Sequence, residues 1–442
     1  MRKIKLFTLI IFISTISLSQ EKAILLDSLF STMSQRGQFN GNVLIAEHNK
    51  SIFSKSYGYV DIERKESLNE ESLFNVGSVS KAFTAISILQ LLEKQKLVLS
   101  DSVVKYLPDF PYPDITIHHL LIHAGGLPGD YELLKNNNWN NSKIATNNDV
   151  LSALNMQKPD LEFTPGEQSE YSNLGYMILA EIVKKVSKSD FKEYMYNHIF
   201  QPSNMNRTSI YNADEIKHVE NVALGCLLYP FSGKYEEAIS IPEFSSQYVT
   251  SGFQGDGNVY STTIDLFNFY KALSNNTLIS EKSLKVAFQK HILEKMEGTP
   301  DYGNSFGYGW LVMNAPKQIV YRGGGLQGYV SNTFWNITDD RVIIYLMNDY
   351  LSYTSYDKQI PYSIGNIFRQ NTLQIPKMTA SIELTKIAIT CTVESLTAKL
   401  DEIKSNPELY HLDLEGLKFL VMKLEQTGNK EKADLIINSF KP

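Results

Sequence analysis

Two apolar-rich stretches in "GNVLIAEHNKSIFSKSYGYVD" flank the polar turn Glu47 to Lys50, which predicts two joined strands. The pattern then changes. From Ser80 to about Lys94, apolar Ala82, Phe83, Ile86, Leu89 and Leu92 recur near helical spacing. Between about 100 and 210 the pattern is mostly helical, with Pro/Gly-rich joints such as "YLPDFPYPD" and "GGLPGD". From about 220 to 370 strand character returns, most clearly in "KQIVYRGGGLQGYVSNTFWNITDDRVIIYLMND". Strand-forming sequence on both sides of a helical block predicts an α+β (mixed α/β) body, residues 21–375, with a helical insertion at about 100–210.

The two ends differ from this body. "MRKIKLFTLIIFISTISLSQEK" places Arg2, Lys3 and Lys5 before an apolar run, Leu6 to Ile16, followed by small polar residues. This is the pattern of a secretory signal over residues 1–20, with cleavage near Ser19 or Gln20, and it predicts a periplasmic or secreted protein. The run is shorter than the roughly 20 residues of a spanning helix, so no membrane span is expected after cleavage. At the other end, residues 376–442 form a helical appendix. Leu417, Leu420, Val421 and Leu424 make one stripe, Gly428 ends that helix, and Ala433, Ile436, Ile437 and Phe440 make a second. One such tetratricopeptide-like hairpin cannot bury its own face, so it is expected to pack on the body, and it leaves room for a protein partner.

Composition narrows the choices. The chain has 442 residues, 43% hydrophobic, with a net charge of −6, which bounds a large core and offers no cationic face for nucleic acid. Its two cysteines, Cys226 and Cys391, are too few for a cysteine-based zinc site and are read as separate thiols. His118, His119 and His123 lack an HExxH frame and are read as packing and capping residues; no metal or cofactor is expected.

The chemistry lies elsewhere. Ser-x-x-Lys occurs at Ser19, Ser78, Ser102, Ser189 and Ser355, but only Ser78 follows a glycine and opens an apolar helix. Three residues on, Lys81 shares the face of Ser78, and the positive end of the helix favours developing negative charge there. A helix cap at Ser78 with an exposed Lys81 fits the same spacing. A second box, Tyr171-Ser172-Asn173, precedes another apolar helix. A tyrosine becomes a base once nearby cations lower its pKa, and an asparagine amide can hold both a lysine and a substrate carbonyl. Tyr-x-Asn recurs at Tyr302, and Glu167 and Glu170 flank the first copy as solvated carboxylates. A third box, Arg322-Gly323-Gly324-Gly325, follows the strand signal Ile319-Val320-Tyr321. There a cation could grip a substrate carboxylate and an exposed strand N–H could complete an oxyanion hole.

The order Ser-x-x-Lys, Tyr-x-Asn, cation-x-Gly resembles the serine β-lactamase and penicillin-binding protein superfamily, in its class C β-lactamase, D-alanyl-D-alanine carboxypeptidase and esterase branch. The resemblance covers roughly residues 25 to 370 and extends to "ITIHHLLIHAGGLPG", "IFQPSNMNRTSI", "GDGNVYSTTIDLFNFY" and "FGYGW". It implies an antiparallel sheet flanked by helices and an exported serine hydrolase that works through an acyl-enzyme. By that resemblance Ser78 is the nucleophile, Lys81 and Tyr171 are the proton-handling pair, and Asn173 holds the substrate carbonyl side chain. Arg322, Gly323 and Gly324 line the substrate, and the backbone N–H groups of Ser78 and Gly325 form the oxyanion hole. The third box departs from the branch, which usually has Lys or His, then Thr or Ser, then Gly. Arg322 keeps the charge but is no proton relay, and Gly323 lacks a hydroxyl. Both changes weaken the case for efficient β-lactam hydrolysis. They are compatible with an esterase or with a peptidase acting on an acidic or amide substrate, so an ester or D-amino-acid amide is the expected substrate. The alternatives are a true β-lactamase, or a penicillin-recognising sensor or scaffold without turnover.

Overall fold

The apolar run in "GNVLIAE" is buried on both faces of one sheet, as a strand covered on each side requires. In the computed structural model, which describes residues 20–62, 65–244, 246–293, 305–313, 317–349, 356 and 359–440, this strand is β1, Gly41–Glu47. Leu44 and Ala46 enter one apolar cluster, while Val43 and Ile45 enter another on the opposite face. The signal sequence, apart from its last residue Gln20, and the Tyr302 box lie outside the described residues.

Seven further strands complete the sheet: β2 Lys50–Tyr57, β3 Ile292–Leu293, β4 Ser305–Phe306, β5 Leu311–Met313, β6 Ile319–Leu326, β7 Tyr329–Asn336 and β8 Arg341–Met347. Their order is β3-β4-β5-β6-β7-β8-β1-β2, antiparallel throughout. The N-terminal hairpin therefore closes against the last strand of the C-terminal run. Helix α1, residues 20–35, covers one face with Leu26, Leu29, Phe30 and Met33, spaced one turn apart and fully buried. Each such side chain contributes about 1.5–3 kcal/mol of burial before ordering costs. Helix α5, Gln359–Gln370, joins it through Ile360, Ile364 and Ile367.

The other face carries α2, Ser80–Glu93, and α4, Thr263–Ser274. Helix α2 is buried all round from Ser80 to Leu91, so it runs through the core rather than over it. Helix α3, Asn173–Ser187, packs beside it within the mostly helical subdomain. The architecture is thus a mixed α/β body with an antiparallel sheet flanked by helices.

The C-terminal appendix is larger than the one hairpin its sequence suggested. Four helices, α6 Ala380–Ala388, α7 Val393–Ser405, α8 Leu414–Gln426 and α9 Lys430–Ser439, share a cluster of their own. The missed pair holds Leu396, Leu400 and Ile403, a stripe diluted by the charges of α7. Two hairpins can bury their faces against each other, which one could not. Cys226 and Cys391 are not joined in a disulfide. Among the described residues no helix is long and apolar enough to cross a membrane.

Candidate active site

Ser78 lies in a short 3-10 turn, Gly77–Val79, that leads directly into α2. No side-chain cap bond is made at this entry, so the serine hydroxyl does not serve as a helix cap. Gly77 takes a left-handed φ of +50°, and a methyl there would stand 3.2 Å from Gly325 N. The turn is pressed onto β6. Ser331 on β7 fixes it by donating its hydroxyl to the Val76 carbonyl at 2.6 Å.

Lys81, one helical turn on, has no exposed surface. A buried ammonium needs acceptors for its three protons, and Lys81 has three. Its Nζ donates to Ser78 Oγ at 3.1 Å, to Asn173 Oδ1 at 2.7 Å and to the Asp256 carbonyl at 2.8 Å. Asn173 is delivered by the start of α3, where the Ser172 hydroxyl caps the helix by accepting from Gly175 N–H at 3.1 Å.

Tyr171 precedes that cap. Its Oη lies 2.6 Å from Ser78 Oγ, and Arg322 donates from a terminal guanidinium nitrogen to the same Oη at 2.7 Å. The Lys81 ammonium stands 4.9 Å from the tyrosine ring centre, and the Arg322 guanidinium 5.3 Å. Tyr171 is 38% exposed, yet desolvation of its hydroxyl among these groups would by itself raise the phenol pKa; the Arg322 and Lys81 cations outweigh it and set the group below its ordinary value.

Arg322 is 3% exposed, and its Nε donates to the Ser78 carbonyl at 2.8 Å. The guanidinium thus bridges the serine turn and the tyrosine instead of facing open cleft, where the sequence reading put it as a carboxylate grip. Strand alternation is the reason. Val320, Arg322 and Gly324 share the buried face of β6, against the serine turn, whereas Gly325 is exposed. Gly324 has no room for a side chain, because a methyl would stand 2.1 Å from Val76 O and 2.8 Å from Ser78 N. At Gly323 a methyl would meet the Tyr321 hydroxyl at 2.2 Å. The first and second glycines therefore serve close packing, and Gly325 lines the cleft beside Ser78.

That cleft, about 140 Å³, is also lined by Asp130, Asn173, Phe253 and Asp256, and no lysine or arginine is among its described lining residues. Through Asn75, Asn258 and Leu326 it adjoins a cavity of about 290 Å³ walled by Tyr260 and Tyr329. Asp130 and Asp256 were not singled out from the sequence. Burial raises both carboxyl groups, Asp256 to about 6 against the pull of Lys81, and Asp130 adds to that rise. "GGLPGD" and "GDGNV" read as loops, and no local signal shows that their aspartates line one cleft.

The remaining candidates are structural. Thr116 N–H donates to His119 Nδ1 at 3.3 Å in a capping box, and His118 Nδ1 lies 2.8 Å from the Tyr308 hydroxyl. Glu167 and Glu170 are exposed.

A serine held between a buried lysine and a cation-flanked tyrosine, on this sheet and helix arrangement, defines a class. The chain belongs to the beta-lactamase family, whose profile matches residues 26–362, and it is a serine hydrolase of that family. It is 36% identical over 366 residues to penicillin-binding protein 4* of Bacillus subtilis (strain 168), covering 82% of this chain and 80% of that one. Its fold is similar to that of a penicillin-binding protein from Bacillus halodurans, with a TM-score of 0.64 at 22% identity over 74% of this chain and 98% of that one. It is also similar to a D-amino acid amidase from Ochrobactrum anthropi SV3, with a TM-score of 0.64 at 18% identity over 80% and 100%.

Proposed function

We propose that the protein is an exported hydrolase that forms an acyl-enzyme on Ser78 from an ester or amide donor. One observation carries this reading. Ser78 Oγ sits 2.6 Å from Tyr171 Oη and 3.1 Å from Lys81 Nζ, with Arg322 behind the tyrosine. All three Lys81 protons are engaged, so the lysine acts as a fixed cation and Tyr171 as the base. The phenolate removes the Ser78 proton as Oγ attacks the carbonyl. The backbone N–H groups of Ser78 and Gly325 receive the oxyanion. The phenol then passes its proton to the leaving group, and the regenerated phenolate activates the water that releases the acyl group. The basic and apolar leader supports export.

The lining of the cleft bears on the substrate. Arg322 is committed to Tyr171, while Asp130 and Asp256 face the space in front of Ser78. This supports a donor that is neutral or carries an amine near the scissile carbonyl over one that carries a carboxylate there, as β-lactams and D-alanyl-D-alanine peptides do.

The test compares wild type with Ser78→Ala on p-nitrophenyl acetate, an alanine ester, a succinate half-ester and a fluorescent penicillin. Turnover of the first two should fall at least about 10³-fold in the variant. The succinate should be the poorest ester, and penicillin, which also carries a carboxylate, should label wild type only weakly and release slowly. Ester turnover that survives Ser78→Ala sinks the mechanism. Rapid penicillin release favours a β-lactamase, and labelling without any ester turnover favours a sensor.

A further inference from the structure

Tyr171 stands on a segment, residues 161–172, that has neither helix nor strand, yet its hydroxyl must meet Ser78, Lys81 and Arg322 together. The segment is held chiefly by residues 122–126. Glu162 N–H donates to Gly126 O and Gly166 N–H to Ala124 O, both at 2.9 Å. The bonds that bracket the tyrosine converge on His123. Glu170 N–H donates to the His123 carbonyl at 2.9 Å, and Ser172 N–H donates to His123 Nδ1 at 3.1 Å. The residues before and after Tyr171 are thus both tied to one histidine.

The imidazole also meets the phenol ring. Their centres are 4.6 Å apart with the planes 35° from parallel, and on its other contacts the imidazole meets Tyr176 at 5.0 Å and Phe306 at 4.6 Å. His123 is 2% exposed and holds a left-handed φ of +58°, which few side chains accept. Because Nδ1 accepts from Ser172 N–H, the ring is the neutral tautomer protonated on Nε2. Burial, with Arg322 and Lys81 close by, keeps it neutral well below the usual imidazole range. A protonated ring would set two donors face to face at Ser172.

We propose that His123 is a positioning residue that sets the height and plane of the Tyr171 ring, so that the hydroxyl stays within reach of Ser78 and both cations. This goes beyond the proposed reaction but rests on Tyr171 as its base. A packing residue alone would need neither the acceptor on Ser172 N–H nor the shallow angle to the phenol.

The test uses His123→Asn and His123→Phe in the full chain with p-nitrophenyl acetate. Asparagine tolerates the left-handed backbone and offers an acceptor, but lacks the ring; phenylalanine keeps the ring and loses the acceptor. Both should lower kcat by about tenfold or more with KM changed less than about twofold, the mark of a lost transition-state contact. The acid limb of the kcat profile should move to higher pH as the phenol leaves its cations. On a Tyr171→Phe background the His123→Asn change should cost less than about twofold, because coupled residues are not additive. A folded His123→Asn enzyme with unchanged kcat and unchanged limb overturns the proposal, as does full additivity with Tyr171→Phe. Full activity of Tyr171→Phe alone would instead remove Tyr171 as the base.

Discussion

Arg322 is the residue whose role depends most on its partners. A guanidinium can bind a substrate carboxylate or a phenolate, and the residue type alone does not choose. Here it bonds Tyr171 Oη and the Ser78 carbonyl, so it raises the acidity of the phenol and braces the serine turn. Arg322→Gln removes one of two cations, and the phenol pKa should rise by about one unit or more. Since the phenolate is the active form, the acid limb of kcat/KM on p-nitrophenyl acetate should move to higher pH. Arg322→Lys keeps the charge without the bridge, so its limb should lie between the other two. An Arg322→Gln enzyme with an unmoved limb would exclude the guanidinium as the partner of the base. The pairing of Ser78 with Lys81 was legible because three residues make a helical turn. Asp130, Asp256 and His123 were not legible as a group, since the connection that carries His123 and Asp130 meets the loop of Asp256 only through the tertiary fold.

At the level of elements, the site depends on how tightly one strand meets one turn. Gly324 lets β6 approach within contact of Val76 O and Ser78 N, both of which are backbone atoms with little freedom to yield. Gly324→Ala should therefore cost about 1–3 kcal/mol, as overpacking does, and should lower kcat as the serine turn shifts. Gly125→Ala is the matched control. Its new methyl would meet nothing nearer than 3.5 Å, so denaturant midpoint and kcat should both change far less. Equal effects at the two glycines would refute the close-approach argument. The helix α2 was legible as an apolar run. Its complete burial was not, because periodicity within a short segment cannot show what covers the far side.

Across the whole molecule, three large apolar clusters and a small one around Leu227, Ala238 and Ile241 share the work of burial among the described residues. Two lie on opposite faces of the sheet, and the third belongs to α6 through α9. The appendix meets the body through single bonds such as Gln38 Nε2 to Pro376 O and Thr379 N–H to the Tyr356 hydroxyl, both 3.0 Å. Ile382 also enters the cluster beneath the sheet. A chain ending at residue 375 should therefore fold with a melting temperature lower by a few degrees and should still hydrolyse p-nitrophenyl acetate. Complete loss of folding or of ester turnover would show that the appendix is integral to the catalytic body.

The sequence by itself determined the order of the three boxes, the strand–helix–strand layout and the helical stripes of the tail. These follow from spacing, which is local and survives in a linear string. Only the tertiary structure decided what each charged group faces. The closing of β1 against β8, the face of β6 turned to the serine and the three acceptors around Lys81 are contacts between distant segments. No local period encodes them; the packing of the whole chain does.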